Sequence, residues 1–261
     1  MHIRFLTVLL LAGFLAACSD SEEATNEPAK APDTAEHLYS DARGLMDQKS
    51  YKDAVKAFEE VERQHPASDW AVRAQVMSGY AAYRNGDYDN ALTILERYVK
   101  MHPGDSSTPY AYYLMALCYY EQISDVGREQ KMTERALQAL TEVIKRFPDS
   151  EYARDAKLKL DLTYDHLAGK DMEIGRYYLK RDEYLSAINR FRFVVENYQT
   201  TSHVPEALHR LVECYLRLGV TEEAKRYAAV LGHNFPDSEW YRDSYALMNG
   251  SKPEDNKGWL W

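Results

Sequence analysis

The chain has 261 residues, 45% of them hydrophobic and 28% charged, and a formal net charge of −9. That length allows one large core or a string of small repeating units. The negative balance excludes a nucleic-acid binder, because phosphates would repel it, and also electrostatic attachment to anionic lipid. Its three cysteines say little about redox compartment.

Arg4 stands ahead of an apolar run over residues 5–14, closed by Leu15-Ala16-Ala17-Cys18. This reads as an export signal, and the run is too short to span a bilayer. The order Leu, Ala, Ala, Cys resembles the bacterial lipobox, which implies removal of residues 1–17, diacylglycerol on the Cys18 sulfur and acylation of the freed amine. Ser19 follows the cysteine and Asp20 comes only after it; by resemblance to lipoprotein sorting rules, this favours the outer membrane. Several acyl chains together hold a protein stably where one does not. Residues 18–34 carry Asp20, Glu22, Glu23, Glu27, Pro28 and Pro32 without a large apolar side chain, so a disordered tether is predicted there.

A phrase then recurs: a small Ala, an apolar residue four positions on, and a proline eight positions later. It reads Ala54, Phe58, Pro66; Ala91, Leu95, Pro103; Ala136, Leu140, Pro148; and Ala224, Ala228, Pro236, while Ala187, Phe191, Gln199 keeps the spacing without the proline. A ring side chain precedes the last position each time: His65, His102, Phe147, Tyr198 and Phe235. Tyr51, Tyr88 and Tyr184 lie three residues before the alanine, and small residues such as Gly79, Ala116 and Gly175 sit about half a repeat earlier. The pattern resembles the tetratricopeptide (TPR) repeat, a pair of antiparallel helices that must stack on neighbouring pairs to bury its apolar face. The apolar spacing within each copy follows the three-and-four rule of a helix. Junctions such as Pro66-Ala67-Ser68-Asp69-Trp70 stop one helix and start the next with Ser or Asp; the aromatic should staple the new helix to the old one.

The alanines are spaced 37, 45, 51 and 37 residues apart. The eight extra residues of the second interval read as a loop over 121–130, rich in turn formers. The fourteen extra of the third amount to about four helical turns. With no proline between Ser150 and Arg181, one long helix is expected, or one broken near Gly169. The predicted fold is an all-α, right-handed solenoid of five helix pairs over residues 35–248, with a capping helix from about Ser238 and a polar tail over 249–261 ending in Trp259-Leu260-Trp261.

No Gly-x-Ser-x-Gly, His-Glu-x-x-His or phosphate-cradling glycine loop is present. No histidine pair is spaced to share a helical face, so no catalytic residue, metal or cofactor is expected. Cys118 and Cys214 occupy one repeat position two units apart, too far for a disulfide, and read as buried thiols. The tyrosines are more telling. On first helices, which line the concave side of such solenoids, lie Tyr80, Tyr83, Tyr110, Tyr112, Tyr113, Tyr119 and Tyr120. Tyrosine is enriched in binding surfaces, although several of these rings would be needed to fill the inter-repeat core. Tyr80, Tyr83, Tyr112, Tyr113 and Tyr119 are the candidate groove residues.

Lipobox, acidic tether, five repeats with Pro-x-Ser-x-aromatic junctions, and the run from Gly175-Arg176-Tyr177-Tyr178 to Ile188-Asn189-Arg190-Phe191 together resemble the BamD (ComL-type) lipoprotein family of the outer-membrane β-barrel assembly machinery. The resemblance covers Cys18 to about Met248; the Trp259-Leu260-Trp261 ending departs from it. It implies a non-enzymatic scaffold, lipid-anchored on the periplasmic face of the outer membrane. The C-terminal repeats would hold the POTRA domains of BamA, and the N-terminal repeats would receive unfolded outer-membrane proteins beside other lipoproteins of the complex. Asn189 and Arg190 would be partner-binding residues, with Arg190 directed away from the core so that its fork can pair with a carboxylate. A periplasmic TPR lipoprotein coordinating cell-wall synthesis would share the lipobox and repeats. A cell-wall enzyme would need a convergent acid–base pair in the groove.

Overall fold

The structure, a computed structural model, describes residues 33–250. The signal over 1–17, Cys18, most of the tether and Trp259-Leu260-Trp261 lie outside the described residues. The chain divides into residues 1–33 and 34–261, and the helices of the described residues lie in the second unit. Among the described residues there are eleven helices and no strand.

The helices pair as expected: α1 (Ala35–Asp47) with α2 (Tyr51–Gln64), α3 (Asp69–Arg84) with α4 (Tyr88–Met101), α5 (Thr108–Tyr120) with α6 (Lys131–Arg146), α7 (Glu151–Lys180) with α8 (Tyr184–Asn197), and α9 (Val204–Arg217) with α10 (Thr221–Asn234), followed by α11 (Glu239–Met248). The repeat alanines Ala54, Ala91, Ala136, Ala187 and Ala224 are all wholly buried, as are Phe58, Leu95, Leu140 and Phe191. Ala228 is only half-buried, and Leu231 takes that role in the last pair. Each large side chain so buried contributes about 1.5–3 kcal/mol. The small residues allow the helices of a pair to close up. A Cβ on Gly79 would stand 2.5 Å from Leu95 Cδ2, and one on Gly175 would stand 2.4 Å from Phe191 Cε1.

Two devices repeat at the helix ends. The ring residues His65, His102, Phe147, Tyr198 and Phe235 each cap a second helix with φ between −127° and −136°. Tyr198 does this with Gln199 behind it, so the half-buried ring, and not the proline, is the common requirement. At the other end, Lys49, Gly86, Asp182 and Gly219 all have φ between 58° and 76°. Each lies five residues before its repeat alanine and closes the same Schellman turn: Ser50, Asp87, Glu183 and Val220 donate their N–H to the carbonyls of Leu45, Ala82, Tyr178 and Tyr215 at 2.8–3.0 Å. The third pair has the 121–130 loop there instead.

At the junctions, Ser68, Ser150 and Ser238 accept from the amides of Ala71, Ala153 and Tyr241, the N-caps expected. The aromatics reach further than the helix that has just ended. Trp70 packs on Tyr39 of α1 at 5.0 Å, Tyr152 on Tyr110 and Tyr113 of α5 at 5.3 and 5.5 Å, and Trp240 on His209 of α9 at 5.3 Å. They therefore staple α3 to α1, α7 to α5 and the capping helix α11 to α9.

α7 is a single helix of 30 residues, continuous through Gly169. Its two halves serve different cores. Ala156 packs with Ala116, Leu140 and Val143 of the third pair, whereas Ala168 and Met172 pack with Ala187, Phe191 and Leu211 of the fourth and fifth. Its extra turns thus close the first three repeats and open the last two.

Candidate functional site

The five candidate groove tyrosines fall into two sets. Tyr80, Tyr83 and Tyr113 belong to a ladder running across α3, α5 and α7, with ring centroids 6.5 Å apart for Tyr80–Tyr83, 6.3 Å for Tyr80–Tyr110 and 5.3 Å for Tyr110–Tyr152. All are half-buried, and the hydroxyls of Tyr80, Tyr83 and Tyr113 are tied down. Tyr83 donates to Glu121 at 3.3 Å, Arg84 donates to Tyr80 and to Tyr51 at 2.7 Å each, and Tyr113 donates to Asp155. Burial, reinforced by Glu121, pushes the Tyr83 hydroxyl up to about 12. Burial and then Asp155 raise that of Tyr113, while the Tyr113 bond lowers Asp155. The ladder therefore offers ring surface, with the Tyr83 and Tyr113 hydroxyls held by carboxylates and that of Tyr80 by Arg84. Tyr112 and Tyr119 turn toward α6. Tyr112 packs on Phe147 at 5.4 Å under Arg146, and Arg135 lies 5.8 Å from the ring of Tyr119. Tyr112 binds the third pair together, and Tyr119 also packs on the core of the first two pairs.

The second candidate surface is the exposed side of α8. Asn189 and Arg190 lie there with Tyr178, Ser186 and Phe193 around a pocket of about 310 Å³. Phe193 is 44% exposed beside them. Arg190 faces away from the core, yet it is not free: Nη1 donates to Asp171 Oδ1 of α7 at 3.0 Å, with the two side chains 45% and 13% exposed. Burial raises the Asp171 carboxyl, and Arg190 opposes that rise. Only Nη1 is engaged with Asp171, so a forked group still has donors directed outward.

Below this face, Arg176 of α7 and Arg210 of α9 share Glu206, which is 9% exposed, at 3.0 and 3.4 Å. The Arg176 bond ties α7 of the fourth pair to α9 of the fifth, while the Arg210 bond lies within α9. Cys118 and Cys214 are free and buried, and burial pushes both thiols up to about 12. Among the described residues no helix is long and apolar enough to cross a membrane, and no group of three His, Cys, Asp or Glu side chains could hold a metal ion.

The family model for YfiO, described as outer membrane lipoprotein, matches residues 31–231. The chain belongs to this family. Among curated relatives, the outer membrane protein assembly factor BamD of Caulobacter vibrioides is 49% identical over 94% of this chain and 80% of its own length. That of Rickettsia prowazekii is 42% identical over 94% and 96%, and that of a Neisseria meningitidis serogroup A strain 31% over 99% and 98%. Among solved structures, a thermophilic TPR protein of Thermus thermophilus is 20% identical, covers 83% of this chain and 99% of its own, and superposes with a TM-score of 0.40. At that score it carries no argument, and the repeat architecture of this YfiO-family chain rests on the helix pairs themselves.

Tyr152, read in the sequence only as one of the junction aromatics, and Asp171 were not among the candidate site residues of this YfiO-family chain. Tyr152 completes the ladder from the junction of α6 and α7; its signal was the repeat register, which aligns it with Trp70 and Trp240. Asp171 carried no signal, because its pairing depends on where α7 crosses α8.

Proposed function

We propose that this chain is an outer-membrane lipoprotein of the β-barrel assembly machinery, anchored on the periplasmic face through lipid on Cys18. It acts as a scaffold, not as an enzyme. The observation that carries this reading is the similarity, along almost the whole chain, to proteins named as outer membrane protein assembly factors.

Two surfaces give the scaffold something to hold. The α8 face suits a POTRA domain of BamA: an apolar side chain enters the pocket beside Phe193 and Tyr178, while a carboxylate takes the open donors of Arg190 and the amide of Asn189. The ladder of Tyr80, Tyr83, Tyr110, Tyr113 and Tyr152 suits extended segments of unfolded outer-membrane proteins. Fixed rings give contact area at little entropic cost and read no particular sequence. Accessory lipoproteins would occupy other faces.

The test is co-purification of BamA from detergent-solubilised outer membranes with the wild-type chain, with Phe193→Asp, and with Val230→Asp on α10 as the control. The expected result is BamA with the wild type and the control and little with Phe193→Asp. Equal recovery with all three would remove the α8 face from the docking site, and absence of BamA from all three would remove the chain from the complex.

A further inference from the structure

The two departures from the repeat period meet in space. The loop over residues 121–130 lies along the middle of α7, where the Ser124 carbonyl and His166 Nε2 are 2.6 Å apart. Gly169 leaves room for two neighbours: a Cβ there would stand 3.4 Å from Val126 of the loop and 3.2 Å from His203 of the turn before α9. Asp165 fastens that turn, accepting from the amide and hydroxyl of Ser202 at 2.9 and 2.8 Å. Loop, helix and turn enclose a concavity of about 530 Å³ lined by Ile123, Val126, Leu162, Glu121, Asp165 and His203 among others.

Its chemistry is one-sided. Leu162 is 60% exposed, and Leu158, one turn earlier on the same face, is 63% exposed. Scattered apolar side chains are ordinary on surfaces, but here Leu162 lines a cavity whose other aliphatic walls are Ile123 and Val126. The lining contains two carboxylates and neither lysine nor arginine. Asp165 is occupied by Ser202, whereas Glu121 takes only the Tyr83 hydroxyl at 3.3 Å. An anionic lipid surface would be repelled, and the exposed Glu121 favours a cationic neighbour over a neutral one. Insertions on one face of a repeat array are a common place for binding.

We propose that this junction docks a short segment of a partner protein, which sets an aliphatic or aromatic side chain among Ile123, Val126 and Leu162 and an arginine or lysine beside Glu121. The site is separate from the α8 face and adjoins the tyrosine ladder, which it meets through the Tyr83–Glu121 bond. Because its walls come from the third pair, from α7 and from the turn before the fifth pair, an occupied site also braces the extra turns of α7 that join the two halves of the solenoid.

The test uses the full-length chain, made in its own cells with a photo-crosslinking benzoylphenylalanine at position 162 or, as control, at position 230 of α10. The expected result is one or a few discrete peptides cross-linked from 162 and not from 230, each with Arg or Lys within a few residues of a large apolar side chain. Synthesised alone, such a peptide should bind the purified chain about tenfold more weakly after Leu162→Ser or Glu121→Gln, the effect of losing one buried aliphatic side chain or one charge pairing. Val230→Ser should leave its binding unchanged. Cross-links only to lipid, to this chain's own residues or to peptides without a basic residue would overturn the proposal. So would an affinity that neither Leu162→Ser nor Glu121→Gln alters while helicity stays intact.

Discussion

Arg190→Ala removes a cation from a carboxylate that water reaches poorly. Asp171 is 13% exposed and Arg190 45% exposed, so the pair lies between two limits. Exposed pairs are worth about 0–1 kcal/mol, whereas stranding one member of a buried pair costs about 3–5 kcal/mol. With the arginine side open to solvent, about 1–2 kcal/mol is expected. For a domain of this size that is roughly 3–6 °C in Tm. The pH dependence gives a second, sharper readout. Burial already raises the Asp171 carboxyl, with Arg190 opposing; without the arginine it rises further. A carboxyl raised in the folded state adds stability only while protonated and loses it as pH climbs through its folded value. The gap between Arg190→Ala and wild type should therefore be widest at neutral pH and narrow on acidification. Adding Asp171→Asn should close most of it at every pH. Scanning calorimetry of the purified chain and the two variants measures this, and an Arg190→Ala melting curve identical to wild type at pH 7 would refute the reasoning.

Gly175→Ala should destabilise by about 1–3 kcal/mol despite the better helix propensity of alanine, because the new methyl meets the buried Phe191 ring at 2.4 Å; urea unfolding checks it. Lys49→Gly and Asp182→Gly, at the two positive-φ turns lacking glycine, should each stabilise by up to about 1 kcal/mol, seen as a rise in urea midpoint. His209 is buried against Trp240 with its Nδ1 2.8 Å from the Ser244 hydroxyl, and burial pushes its pKa down to about 3. A histidine depressed in the folded state loses stability as pH falls from its ordinary value of about 6.5 toward that lower value, by about 1.4 kcal/mol per pH unit at most. His209→Gln should flatten that part of the acid-unfolding profile, and an unchanged slope would show that other groups set it.

What could be read in the sequence was whatever the repeat dictates. The five alanines with their partners, the ring caps and the serine N-caps recur at fixed spacing because each helix pair must bury the same face against the next. The turn device was half-hidden: Gly86 and Gly219 announce a left-handed residue, whereas Lys49 and Asp182 hold the same conformation without glycine. Side-chain direction was less legible. Tyr112 and Tyr113 are neighbours on α5, yet the first packs on α6 and the second on α7, a choice fixed by a rotation of about 100° per residue relative to partners whose placement spacing alone does not give. Arg190 could be placed on an outer face by its neighbours Ile188 and Phe191. Its bond to Asp171, nineteen residues back, depends on the crossing of two helices, which no local pattern records.

The most direct test of the assembly role is reconstitution. BamA from the same cells is placed in liposomes with or without the lipidated chain, and an unfolded outer-membrane barrel is added while its conversion to the folded, protease-resistant form is followed. The expected result is faster and more complete folding with the wild-type chain, with most of that gain lost for Phe193→Asp. Folding that proceeds at the same rate with and without the chain would contradict a role in barrel assembly.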